Sequence, residues 1–235
     1  MCTVTLGTRK YIKSQAKKDK RKLPRNYVSL LKAYKQYTNC TLIFTTTCIG
    51  LNGSSPFCDT ICVSAEYGYQ LLTNFNDVLF NAFIETLGHE EAHKEKELEL
   101  CPFYCRIVKI CPILNRKVNP CSKEKEFCNK VTEVHCDFRG VQKKINSNRK
   151  TAIEIFTYKK NFADSKCAKK VKSNSDKKAK GCEYCTHPTN SQRLDYITNY
   201  DFNESLVRRI AADIGFTDEE VISKACTYFE DIILN

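Results

Sequence analysis

Residues His89-Glu90-Glu91-Ala92-His93 read H-E-x-x-H, a pattern whose chemistry requires a helix. On a helix, residues four apart stand one turn above each other, so His89 and His93 can turn both imidazoles towards one metal ion. Glu90 then lies beside that ion, placed to hold a water rather than to bind the metal. The chain has four histidines, and this motif uses two of them. The surrounding sequence supplies the helix. Phe75, Val78, Leu79, Ala82, Phe83 and Leu87 mark one face of a helical segment predicted over residues 74–100. Gly88, directly before His89, costs such a helix about 1 kcal/mol, and its missing side chain leaves room for close packing.

A catalytic zinc takes three protein ligands and a water, so another helix has to supply the third. Residues 123–145 suit a helix, with Phe127, Val131, Val134 and Phe138 along one side. Glu133 and Asp137 are four apart and share another face of it. Glu133 is the candidate ligand. Asp137 is the candidate acceptor for the second ring nitrogen of a ligating histidine, which fixes the tautomer and raises ligand basicity. The plainer reading makes both acids exposed helix charges. His135 and Cys136 are ligand types as well, but they point away from the Glu133 face.

H-E-x-x-H followed by E-x-x-x-D on a later helix is similar to the gluzincin pattern of zinc peptidases. A third segment, Thr186-His187-Pro188-Thr189-Asn190-Ser191-Gln192-Arg193-Leu194, resembles the S/T-H-P-T-x-x-x-R-L/I stretch of the HtpX and CAAX-prenyl-protease family. The three motifs stand in that family's order, and residues 59–72 look like the strand those peptidases lay along the substrate. The resemblance spans residues 55–200, and its specificity lies in the motifs. It implies an α+β, zincin-like fold, mostly helical, with a small antiparallel sheet near the H-E-x-x-H helix. It further implies one catalytic Zn2+ on His89, His93 and Glu133, with Glu90 as general base in peptide-bond hydrolysis.

His187 is the expected oxyanion donor, because the matching family histidine lies near the active centre. Arg193 is expected to orient that histidine, bind substrate or form a structural salt bridge, and Tyr196 is a further donor candidate. Ser64 to Glu66 are expected to offer backbone groups to an extended peptide by strand addition.

Composition bears on the alternatives. The 235 residues carry 38 basic and 27 acidic side chains, a net charge of +11 that invites a nucleic-acid reading. The distribution argues otherwise. Residues 9–25 hold nine Lys/Arg against one Asp, and residues 139–180 hold fourteen against three acids. The remainder has 15 basic and 23 acidic residues, so the motif-bearing body is acidic. Neither basic segment interleaves aromatic residues as a single-strand binding platform does. Residues 1–26 are expected to form a basic N-terminal arm, and residues 27–235 one domain carrying a Lys-rich mobile insertion at 146–181.

Other expectations follow the same periodicity. Residues 27–37 suit an amphipathic helix, and residues 42–47 and 59–65 suit strands joined by a turn at 50–56. Residues 193–200, 204–214 and 218–234 suit closing helices. No apolar run reaches the ~18 residues of a membrane span, and the first 26 residues lack a signal-peptide core. A soluble, cytoplasmic protein is expected.

Fifteen cysteines without an oxidising compartment read mainly as small reduced hydrophobes. Cys182 and Cys185, with His187 two residues on, are alternatively the opening of a second zinc site. Two further functional readings compete with the peptidase: a catalytically silent zinc-binding regulatory protein, and nucleic-acid binding through the basic segments. Glu90 argues against the former, since a structural zinc needs no base beside it.

Overall fold

The computed structural model describes residues 1–48, 51, 53–57, 59–96, 123–171 and 187–235. Cys182, Cys185, the Cys101/Cys105 pair and the prolines at 102, 112 and 120 lie outside these residues.

The chain opens with strand β1 (Cys2–Val4) and helix α1 (Leu6–Lys18), so the expected N-terminal arm is instead part of the fold. The reason is a buried stripe that the lysines disguise. Thr8, Ile12 and Ala16 recur every four residues and are buried, Thr5 caps the helix on the Thr8 amide, and the Thr8 hydroxyl donates to the Phe44 carbonyl at 2.7 Å. Helix α2 (Tyr27–Ala33) passes into a 3-10 turn at Tyr34–Tyr37.

Three more strands complete the sheet: β2 (Thr41–Thr45), β3 (Gly53–Phe57) and β4 (Thr60–Ser64), in the order β1-β2-β4-β3. β1 pairs with β2 and β2 with β4 in parallel; only β3 runs antiparallel, against β4. The sheet is therefore mixed rather than antiparallel. Helices connect β1 to β2, as a parallel pair requires. β3 occupies most of the span expected as a turn. Gly, Ser and Pro are weak strand formers, and pairing to β4 decides the conformation instead.

Ser64 ends β4 and caps helix α3 (Ala65–Thr73) by accepting from the Tyr67 amide. Helix α4 (Asp77–Lys96) carries the H-E-x-x-H motif. It is followed by α5 (Lys123–Lys144), α6 (Arg149–Val171), α7 (Asn190–Asn199), α8 (Glu204–Ile214) and α9 (Glu219–Tyr228). The expected mobile insertion is in large part α6, which buries Ala152, Ile155 and Phe156. The final helix stops at Tyr228, and an antiparallel bridge then joins Ile232 to Phe202.

Two hydrophobic cores flank α4. Leu79, Phe83 and Leu87 join Leu42, Phe44, Ile61 and Val63 beneath the sheet. Ala82 faces a helical core of Phe127, Val131, Val134, Phe138, Phe156 and Phe202. A helix buried on both flanks is held rigidly, which suits one that presents ligands.

Candidate metal centre

The crossing of α4 and α5 sets the site. A Cβ on Gly88 would stand 2.9 Å from the Gly140 Cα, and one on Gly140 would stand 2.9 Å from the His89 nitrogen and 3.0 Å from the Glu85 carbonyl. Real Cβ atoms do not approach so closely, so both positions require glycine for the helices to touch backbone to backbone. Contact at Gly140 places Asp137 and Glu133, one and two turns earlier on α5, opposite His89 and His93.

The three expected ligands converge. His89 Nε2 lies 3.0 Å from His93 Nε2 and 3.4 Å from Glu133 Oε2, and His93 Nε2 lies 3.3 Å from Glu133 Oε1. A tetrahedral zinc with bonds of about 2.05 Å separates its ligand atoms by about 3.3 Å, and each histidine nitrogen finds one Glu133 oxygen near that distance, Oε2 for His89 and Oε1 for His93. Asp137 Oδ1 sits 2.8 Å from His89 Nδ1. A proton on Nδ1 leaves the Nε2 lone pair facing His93 and Glu133, an arrangement that a metal ion would satisfy.

Charge points the same way. Glu85, Glu90, Glu133 and Asp137 crowd one region against two cations, Lys159 on Glu85 and Arg193 on Asp137. The excess of carboxylates over cations favours positive charge at this position, whether a protonated histidine or a metal ion. A second buried group, Glu85, His89 and Asp137, also has ligand spacing. Its acids are already committed to Lys159 and Arg193, whereas the His89-His93-Glu133 group opens onto a cleft.

Proton affinities reflect this crowding. Burial lowers the His89 pKa, but hydrogen bonds to Asp137 and Glu133 outweigh it and push it up to about 10. Burial raises Glu133, yet His187, His89 and His93 together hold it far below the usual carboxylate range. Asp137 behaves alike: burial raises it, and Arg193 and His89 bring it below its ordinary value. Glu90 is raised, because burial outweighs the nearby histidines. A buried carboxylate with raised proton affinity beside the ligand atoms is suited to accept a proton.

The cleft has a volume of about 570 Å³ and is lined by β3, α4, Glu133 of α5, Lys159 of α6 and residues 187–190 and 193 at the start of α7. Gly53 of β3 packs against Glu90, where a Cβ would meet its Oε1 at 3.0 Å. His187 is the most exposed of the group and lies at 3.1 Å from Glu133 Oε1 through Nδ1. Thr189 then caps α7 through a reciprocal capping box with Gln192. That start aims Arg193, one turn along, at Asp137, with Nε donating to Oδ2 at 2.6 Å. Among the expected roles of Arg193, the salt bridge is the one observed, and through Asp137 it supports His89 rather than His187.

Two expectations fail here. Tyr196 is buried in the helical core, and its hydroxyl donates to Asp213 at 2.7 Å, so it does not line the cleft. Ser64 to Glu66 do not lie on a free edge, because β4 is paired on both sides and Ser64 caps α3. The strand at the cleft is β3. The sequence reading also missed Glu85 and Lys159, although Glu85 stands one helical turn before His89 and was legible by spacing.

No helix among the described residues is long and apolar enough to cross a membrane. No protein family, curated protein or solved structure matches this chain.

Proposed function

We propose that this protein is a zinc-dependent endopeptidase of the gluzincin type, with a zincin-like arrangement around α4 and α5. The observation that carries the reading is the convergence of His89 Nε2 and His93 Nε2, 3.0 Å apart, on the Glu133 carboxylate, whose Oε2 lies 3.4 Å from the first and Oε1 3.3 Å from the second, with Glu90 beside them in an open cleft. His89, His93 and Glu133 would hold the ion, and Asp137 would orient His89. A bound zinc supplies Lewis acidity, making a water acidic near neutral pH and polarising a carbonyl oxygen.

The chain's own groups account for the proton traffic. Glu90 accepts the proton of the attacking water and delivers it to the leaving amine nitrogen, so the amide gains one water overall. His187, held through Nδ1 by Glu133, donates from Nε2 to the carbonyl oxygen as negative charge develops. β3, at the sheet edge beside Glu90, offers its backbone to an extended peptide by strand addition. The resemblance to the HtpX and CAAX-prenyl-protease family supports the same assignment through His187, Pro188 and Arg193.

Metal titration combined with a broad peptide-library cleavage assay tests this reading. The expected result is one zinc per chain, lost in Glu133→Ala, and cleavage that a chelator abolishes and zinc restores. Full zinc occupancy in Glu133→Ala removes the ligand assignment. Zinc binding with no cleavage of any peptide favours the silent zinc-binding reading instead.

A further inference from the structure

The second feature of the chain is a basic face that the metal centre does not use. α1 buries Thr8, Ile12 and Ala16, so the opposite half of its surface looks outward. Arg9, Lys10, Lys13, Lys17 and Lys18 are all exposed there. The run continues past the helix through Lys20, Arg21, Lys22 and Arg25, also exposed. No ion pair among the described residues involves any of these nine side chains. Asp19, the one acid within the run, accepts from the Tyr69 hydroxyl at 2.6 Å and keeps its charge, and Glu66 on α3 is buried and accepts from Tyr11. Nine basic groups against one acid leave residues 9–25 strongly positive, although the remainder of the chain outside the two basic segments carries more acids than bases.

Leu6 selects the partner. At the start of α1 it stands three, four, seven and eleven residues before Arg9, Lys10, Lys13 and Lys17, which places it on the same face. It is 67% exposed, so most of this leucine faces solvent. No aromatic side chain occupies that face; Tyr11 is half-buried, with its hydroxyl on Glu66. A nucleic acid would use the charges but leave Leu6 in water, and stacking on bases would need a ring. An anionic lipid surface takes both, with headgroup phosphates on the lysines and the leucine in the interface.

We propose that the Arg9–Lys18 face of α1, with Leu6 at its N-terminal end, adsorbs the protein peripherally to anionic lipid surfaces. β1, which leads into α1, is at the opposite edge of the sheet from β3, so the cleft edge stays open when this face is occupied. The inference is independent of the peptidase reading.

Co-sedimentation of the full chain with phosphatidylcholine vesicles, with and without about one third phosphatidylserine, tests it at about 0.15 M salt. Each basic side chain at such a surface is worth about fivefold in partitioning. Lys10→Glu/Lys13→Glu/Lys17→Glu is then expected to lose on the order of a hundredfold or more, with an unchanged circular dichroism spectrum, since these residues make no ion pair. Leu6→Ser keeps the charge and is expected to lose several-fold. Absence of the wild type from anionic vesicles overturns the proposal, as does equal binding by the triple variant. Tighter binding to duplex DNA than to vesicles, or no change in Leu6→Ser, overturns the lipid assignment.

Discussion

Gly88 and Gly140 touch where α4 and α5 cross, and the His89 backbone lies in that contact. Two residues without side chains thus fix the distance between the histidines on one helix and the carboxylates on the other. A methyl group at Gly140 has to push the helices apart. Gly140→Ala is expected to cost about 1–3 kcal/mol of stability and more than tenfold in zinc affinity. Thermal unfolding and a chelator-competition titration measure the two effects, and an unchanged zinc affinity contradicts the role assigned to the crossing.

Asp137 is bound by His89 on one side and Arg193 on the other. Asp137→Asn keeps the shape but weakens the orientation of His89 and removes the partner charge of Arg193. Zinc affinity is expected to fall about 10–100-fold, while His93 and Glu133 retain residual binding. Competition against a chromogenic chelator reads this directly.

The pH dependence has a defined sign. Without a metal, burial lowers the His89 pKa, but hydrogen bonds to Asp137 and Glu133 push it up to about 10 from an ordinary value of about 6.5. A raised folded-state pKa contributes stability that is complete below about 6.5 and is lost as pH rises towards 10. A zinc ion on His89 would require the neutral imidazole, so its binding would release this proton and tighten over the same window. The difference in melting temperature between zinc-loaded and zinc-free protein is expected to widen between pH 6.5 and 9. A difference that narrows over that range contradicts the ligand role of His89.

Glu85 is fully buried and pairs with Lys159 across α4 and α6. Lys159→Met leaves that carboxylate alone and is expected to cost about 3–5 kcal/mol. Glu85→Leu combined with Lys159→Met removes both charges, and most of the stability is expected to return. Urea unfolding of the single and double variants decides this. A double variant as unstable as the single one shows that packing, not charge, dominates at the pair.

Much of the site was legible because helix spacing is short-range. His89, Glu90 and His93 lie within five residues, and Glu133 with Asp137 within another five, so no tertiary knowledge was required to place each set on one face. The packing of Gly88 on Gly140 was not legible, because a crossing point is a property of two distant segments. α1 was hidden by its lysines: the buried Thr8, Ile12 and Ala16 stripe is narrow and only partly apolar. β3 was hidden by composition, since Gly53 and Pro56 disfavour strands unless a neighbour such as β4 imposes the pairing. Lys159 was lost among the lysines of a segment that reads as solvated, although Ile155 and Phe156 beside it are buried.

The central claim is that Glu90 acts chemically at a zinc site built by His89, His93 and Glu133. Zinc content and peptide cleavage, measured side by side for the wild type and Glu90→Gln, test it most directly. The account predicts one zinc per chain in both proteins and cleavage reduced at least about a hundredfold in the variant. Equal cleavage by Glu90→Gln would contradict it.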